Sequence, residues 1–407
     1  MEVLIIGGGA SGMMASIAAA SMGASVTIYE HNDILGKKLR TTGNGRCNLG
    51  NMNLKDEFYY SPDRDMLSDF FIQFDEDDTI RTFRSLGLII KDENGYMYPA
   101  CEQAKVVADV LETQLRSYGV NVCTSVDIDD IKKNDDNSFT VATDGRNFKF
   151  DKVVLACGSY AGIAKKDRIS SDKDGYALAY SFGHTIMPVK PALTAIKCDN
   201  DFLDRISGVR ADALITLVKN GTTVAGEYGQ LQMTDYGVSG IPAFQLSHYV
   251  GADKEGGYEL LIDFMPGVDD DDYIAMMQSR IFAFQGYTIE QFFLGTLNTK
   301  LCDLIIDLAG LNRTDMVDEE TQDDLITALG IVRCLKLNVT GVKDFSFAQV
   351  CSGGVPLNEI DRNCMSVKTP GLYICGEMLD VDGMCGGYNL QWAWTSGYIA
   401  GRAAGCY

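Results

Sequence analysis

The chain has twelve cysteines, yet no two are spaced C-x-x-C, and its only histidines are His31, His184 and His248. Zinc and iron–sulfur frameworks need clustered Cys and His ligands, so no metal is expected. The cysteines read instead as reduced, small, buried apolar residues. Basic residues are scarce as well: 35 Lys and Arg stand against 56 Asp and Glu, a net charge of −21. Nucleic acid and anionic membranes both require a basic face, so neither is expected as a partner. No stretch reaches the roughly 20 uninterrupted apolar residues of a membrane span. A basic segment followed by a cleavage site is missing at the N-terminus, and the chain is expected to be cytoplasmic. Its 407 residues, 46 % of them hydrophobic, leave room for two or three domains. The sequence sets no oligomeric state.

What is present begins at residue 2. Val3 to Ile6 is a short β-branched, apolar run, the pattern of a buried strand. Gly7, Gly9 and Gly12 then form G-x-G-x-x-G, and residues 10–22, starting with Ala10 and Ser11, carry no breaker and read as a tightly packed helix. Val26 to Tyr29 is a second buried strand, closed by Glu30. Gly7 allows the tight turn, Gly9 lets a pyrophosphate approach the backbone at the positive end of the helix, and Gly12 lets helix and strand pack closely. Glu30 follows at about the spacing, roughly 20 residues, where an acid accepts hydrogen bonds from ribose hydroxyls. Its charge argues against a 2′-phosphate there.

Residues 31–53 concentrate Lys37, Lys38, Arg40 and Arg46 among Gly36, Gly43, Gly45 and Gly50 in an otherwise acidic chain. The stretch reads as a loop laid along an anionic ligand, with Cys47 and Asn48 facing the same ligand. Helices are expected over 62–90 and from Gln103 to Tyr118, a loop or hairpin over Gly95–Cys101, and a strand over Val120–Val126. Asp144-Gly145 marks a hairpin between Phe139–Ala142 and Asn147–Phe150. Lys152 to Ala156 is a buried strand running into Cys157-Gly158.

Farther on, Ala192–Lys197, Leu214–Lys219, Thr222–Ala225 and Tyr258–Phe264 are strand-like, with Asn220-Gly221 as a turn. Gly240-Ile241-Pro242 reads as the entry to a helix. From Asp269 to Leu329 the pattern is helical, and the acids at Asp269–Asp272 and Asp318–Glu320 read as helix caps, not metal ligands. Phe345–Val350 and Leu372–Cys375 are expected strands, and Gly386-Gly387 is expected to open a helix over about Asn389–Ala404.

The N-terminal βαβ unit, the GKKLRTTGNGRCN loop, the VVLACG strand and the GEMLDVDGMCGGYNLQWAW block together resemble one family. It is the bacterial NAD(P)/FAD-dependent oxidoreductases related to bile-acid and aminoacetone-oxidase-like flavoproteins, and the resemblance runs over nearly the whole chain. It implies an α/β fold: a glutathione-reductase-like, Rossmann-type FAD-binding domain interrupted by an inserted β-barrel and small helical domain. The FAD-binding parts are expected at 1–190 and 341–407, and the insertion at 191–340, with its β subdomain at about 191–266 and its helical one at about 267–340. The residues expected at the cofactor are Gly7, Gly9, Ala10, Ser11, Gly12, Glu30, Lys37, Lys38, Gly43, Arg46, Cys47, Asn48, Val126, Cys157, Gly158, Gly376, Glu377, Asp380, Gly387 and Asn389. Glu377 and Asp380 are the candidates for ribityl hydroxyls. The last helix would aim its positive end at the pyrimidine side of the isoalloxazine, where negative charge develops on reduction.

No second G-x-G-x-x-G unit follows, so a separate nicotinamide domain is not expected; NADH or NADPH would reach the flavin through the substrate's cleft. The expected activity is hydride relay through flavin N5 to a small or medium apolar organic molecule, one class being activated C=C bonds. No catalytic side chain is singled out: Cys385, Tyr388, Tyr236 and His248 read as structural. Two other readings stay open, a flavin-dependent oxidase using O2 and a non-catalytic FAD-binding redox module.

Overall fold

A computed structural model of the chain describes residues 1–163, 174–252 and 256–406. The chain divides into two compact units, Met1–Lys190 with Gln349–Tyr407, and Pro191–Ala348.

The first unit is built on a five-stranded sheet. Its strands are β1 (Glu2–Ile6), β2 (Ser25–Glu30), β3 (Asn121–Thr124), β4 (Lys152–Leu155) and β5 (Leu372–Ile374), in the order β5-β4-β1-β2-β3, all parallel. Val3, Leu4 and Ile5 in the central strand are fully buried, as a strand covered on both faces must be. Helix α1 (Ala10–Ser21) joins β1 to β2, and helix α2 (Tyr388–Gly405) closes the unit. The two helices pack backbone to backbone. A Cβ on Gly397, Gly401 or Gly405 would lie 2.5, 2.1 or 2.7 Å from the carbonyl oxygen of Ser11, Ala15 or Ala19. Only glycine at every fourth position allows so close an approach.

The second unit holds a closed six-stranded barrel, whose strands run Ile196–Cys198, Gly237–Ser239, Thr222–Thr234, Arg210–Lys219, Tyr258–Asp263 and Leu335–Val342 around the ring. Alternate residues such as Ile215, Leu217, Leu260, Ile262 and Leu337 fill its interior. Four helices, Asp270–Ala283, Ile289–Phe293, Thr299–Leu308 and Gln322–Arg333, lie in the chain between its last two strands.

Three local readings need correction. The strand expected over Ala192–Lys197 is broken by Leu193 at φ +47°, leaving Met187–Ala192 and Ile196–Cys198. Phe345–Val350 is no strand: Asp344 Oδ1 accepts the amide of Ser346 at 2.9 Å and turns the chain, and pairing starts only at Val350. The segment Leu335–Val342, expected to close the helical subdomain and begin the second FAD-binding part, is instead a strand that completes the barrel, with Leu335 and Leu337 inward and Lys336 and Asn338 outward. All twelve cysteines are free thiols. Among the described residues no Cys/His/Asp/Glu group could hold a metal ion, and no helix is long and apolar enough to cross a membrane.

Candidate functional site

The turn between β1 and α1 is shaped by four glycines with different constraints. Gly7 adopts φ +102°, and a Cβ there would meet Ala156 O at 2.4 Å; one on Gly12 would meet Gly7 O at 1.9 Å. Gly8 is confined only by a movable group, since its Cβ would meet the end of the Leu35 side chain at 2.2 Å. Gly9 alone faces open space, with nothing within 4 Å of its Cβ position. Gly7 and Gly12 are therefore needed for packing, while Gly9 leaves a bare patch of backbone at the start of the helix, with Ala10 and Ser11 next in line. A patch of that kind admits a phosphate to the N-terminal amides.

Glu30 is buried at the end of β2 and bridges this turn to the following loop. Its Oε2 accepts the Gly8 amide at 2.7 Å; its Oε1 accepts the Asn32 amide at 2.7 Å and the Asn32 side chain at 2.6 Å. Lys37 in turn donates to Asn32 Oδ1 at 2.8 Å, and the Val126 amide donates to Glu30 O at 3.0 Å.

The loop over 31–53 contains a short 3-10 stretch, Leu39–Gly45, whose end is broken by left-handed backbone at Gly43, Asn44 and Gly45, and Cys47 just beyond it is left-handed too. Its cations all have protein partners. Lys38 pairs with Glu377 at 2.6 Å, Arg40 with Asp109 and Glu112, and Arg46 with Glu93 and Glu102 while lying 4.3 Å over the Tyr98 ring. Burial pushes the Cys47 thiol up to about 12, so it is a neutral packing group. Asn48 Oδ1 is buried without a protein partner.

The ends of β4 and β5 meet this region. Cys157 is likewise raised to about 12 by burial, its amide is 3.3 Å from Met378 Sδ, and Gly158 turns the chain at φ +72°. Gly376 adopts φ +70°, with its Cβ direction blocked by Ser11 Oγ at 2.4 Å. Glu377 Oε2 accepts from Lys38 and from Ser159 Oγ at 3.3 Å, while Glu377 Oε1 is buried with no protein partner. Asp380 is buried and accepts the Gly353 amide at 2.9 Å.

Helix α2 ties these parts together. Gly387 caps it at φ +97°, pressed on Gly50, whose carbonyl would stand 2.6 Å from a Cβ. Asn389 folds back to hold Gly383 through both backbone groups, at 2.8 and 2.7 Å. No acidic side chain occupies the first turn, so the positive end of this 18-residue helix is left unneutralised by its own side chains. The structure thus brings the α1 turn, Glu30, the Lys38–Asn48 loop, Cys157-Gly158 and Gly376-Glu377 into one unit around α2. Sequence reasoning passed over Gly8, Asn32, Trp392, Trp394 and Ser396. The G-x-x-x-G-x-x-x-G spacing of Gly397, Gly401 and Gly405 was the available signal for the close helix pair.

The pattern described as HI0933-like protein Rossmann domain matches residues 1–403. The chain belongs to the HI0933-like Rossmann family. The family resemblance seen in the sequence motifs is borne out, as is the Rossmann-type fold with its barrel. This is an FAD-binding family of oxidoreductases; the protein is an enzyme and FAD is its cofactor. The chain is 38 % identical to the 3-dehydro-bile acid Δ(4,6)-reductase of Clostridium scindens, over 98 % of both chains. It is 26 % identical to the ribosomal RNA dihydrouridine synthase of Escherichia coli, over 98 % of this chain and 97 % of that one. Among solved structures, 3-ketosteroid-Δ4-(5α)-dehydrogenase from Rhodococcus jostii shares the fold, with a TM-score of 0.54 and 16 % identity over 100 % of this chain and 97 % of that one. The residues gathered here suit FAD: an open patch at Gly9, an acid at the end of β2, and two buried oxygens, on Asn48 and Glu377, that the protein does not satisfy.

Proposed function

We propose that the enzyme reduces a conjugated C=C bond of a largely apolar cyclic ketone of the 3-oxo steroid or bile-acid type, with NADH or NADPH as the source of electrons. The observation that carries this reading is the 38 % identity to a 3-dehydro-bile acid Δ(4,6)-reductase across 98 % of both chains. The net charge of −21 favours it over ribosomal RNA, a polyanion that this chain would repel unless a local basic face offset the excess. The reaction consumes one nicotinamide hydride and one proton, and adds two hydrogens across one C=C bond.

FAD, when bound, supplies the two-electron exchange between nicotinamide and ketone. In this reading the Gly7–Gly12 turn holds the diphosphate at the N-terminus of α1, and Glu30 takes ribose hydroxyls. Lys38, Asn48 and Glu377 take the polar groups between the diphosphate and the ring, with Glu377 Oε1 and Asn48 Oδ1 free for new hydrogen bonds. The N-terminus of α2, backed by Gly387 and free of acids, stabilises negative charge at the ring.

The test is anaerobic incubation of the FAD-loaded protein with a 3-oxo-4,6-diene steroid and NADH or NADPH, followed by mass spectrometry. The expected product carries two added hydrogens for each nicotinamide oxidised. An unchanged steroid would sink this reading. Should uridines of ribosomal RNA be reduced under the same conditions instead, the RNA-directed activity of the more distant relatives would take its place.

A further inference from the structure

The chain has two tryptophans, Trp392 and Trp394, and both lie on α2 with their side chains buried. Residues two apart on a helix point roughly 200° apart, so the indoles reach opposite flanks. Trp392 donates its indole N–H to Gly376 O at 3.2 Å, and Trp394 donates to Leu49 O at 2.9 Å. Gly376 immediately precedes Glu377, and Leu49 immediately follows Asn48. Glu377 and Asn48 are the two residues whose buried oxygens the protein leaves unsatisfied at the site. The preceding peptide is held as well, since the Gly376 N–H donates to Ser396 Oγ at 2.9 Å. Edge-on packing of Phe70 against Trp392 and of Phe83 against Trp394, at 5.5 and 5.0 Å, fixes both rings.

A purely apolar ring would fill most of the same volume, so packing alone does not call for an indole. What the indole adds is a donor aimed at one chosen carbonyl. We propose that Trp392 and Trp394 are positioning residues for the cofactor: each pins the peptide beside one FAD-contacting side chain, and α2 fixes the spacing between the two. The inference rests on the reading that Glu377 and Asn48 contact FAD.

The test is a set of FAD titrations of the full-length apoprotein, read by flavin fluorescence. Trp392→Phe leaves Gly376 O to the Leu379 amide at 3.2 Å, Trp394→Phe removes the indole donor from Leu49 O, and each is expected to weaken FAD about tenfold. Glu377→Gln separates the possibilities. In that background Trp392→Phe is expected to cost less than about threefold, because its effect runs through Glu377, whereas Trp394→Phe keeps its full effect. If Trp392→Phe lowers the apoprotein's unfolding midpoint but leaves FAD affinity unchanged, or if its effect simply adds to that of Glu377→Gln, the positioning role is overturned. If Trp392→Phe does not fold, Ser396→Ala frees the peptide on the other side of the Gly376 Cα and enters the same cycle. Should Glu377→Gln by itself leave FAD affinity unaltered, the reading of the site fails, and this inference with it.

Discussion

Lys38 and Glu377 stand 339 positions apart in the sequence and form an ion pair of 2.6 Å. The pair joins the glycine-rich loop to the turn after the last strand of the sheet. Lys38 is partly exposed, so the pair contributes at most about 1 kcal/mol to folding. Lys38→Met is therefore expected to leave the unfolding free energy nearly unchanged while weakening FAD about tenfold, because on the proposed reading it removes a cation from the polar groups between the diphosphate and the ring. Denaturant unfolding and FAD titration of the same preparation check both halves. Unchanged FAD affinity would reduce Lys38 to a tie between two segments.

Two glycines of one motif are expected to behave in opposite ways. Gly12→Ala forces a Cβ to 1.9 Å from Gly7 O and is expected to cost about 3 kcal/mol or more of stability. Gly9→Ala enters open space and is expected to change stability by less than about 1 kcal/mol, yet to weaken FAD at least tenfold by standing where the proposed reading puts the diphosphate. Thermal unfolding of the apoproteins together with FAD titration distinguishes them. A Gly9→Ala protein that binds FAD normally would move the diphosphate elsewhere.

The helix pair gives a third expectation. Gly401→Ala would bring a Cβ to 2.1 Å from Ala15 O and push α2 off α1. A loss of roughly 2–3 kcal/mol is expected, measured by denaturant unfolding. Arg402→Ala, one residue on and at the exposed side, is expected to lie within about 0.5 kcal/mol of the native chain.

How much of this was legible beforehand follows from the kind of signal each part carries. The βαβ unit was readable because strand, glycines and acid sit within a short stretch whose spacing has one physical purpose. The Asp144-Gly145 and Asn220-Gly221 turns were readable because those residues accept left-handed backbone, and they do so here. The break at Leu193 was not readable, since an isolated leucine at φ +47° has no local cause and is imposed by the surrounding fold. The site divides in the same way. The sequence named Arg46 from its charge, but not that Glu93 and Glu102 occupy its guanidinium. Asn389 was named from its place in a motif, while its amide clamps Gly383. Long-range partners of this sort decide which polar atoms remain for a ligand, and a local pattern does not contain them.

Away from the site, His184 is buried between Glu359, 2.9 Å from its Nδ1, and Ser366, 2.8 Å from its Nε2. Burial holds the imidazole below its usual 6.5 in spite of the neighbouring acid. For Glu359, burial would raise the carboxyl, but hydrogen bonds from Lys368, Thr185 and His184 outweigh it and hold it down to about 2. Glu359 thus stabilises the fold fully above about pH 4.5 and loses that contribution as the pH falls toward 2. His184 acts in the same direction, since the unfolded imidazole takes up its proton first as the pH drops below 6.5. Glu359→Gln is expected to lower stability by about 1–3 kcal/mol near neutrality, with the difference from the native chain closing between pH 4.5 and 2. Urea unfolding across that range reads it directly; a constant difference would assign the effect to packing.

The most direct test of the proposed reaction is a stopped-flow comparison. The FAD-loaded protein is reduced with NADH or NADPH without oxygen, then mixed either with an oxygen-free 3-oxo-4,6-diene steroid or with air-saturated buffer. The expected result is rapid return of the flavin's yellow colour with the steroid and slow return with oxygen. Rapid return with oxygen and none with the steroid would contradict a C=C reductase and leave an oxidase in its place.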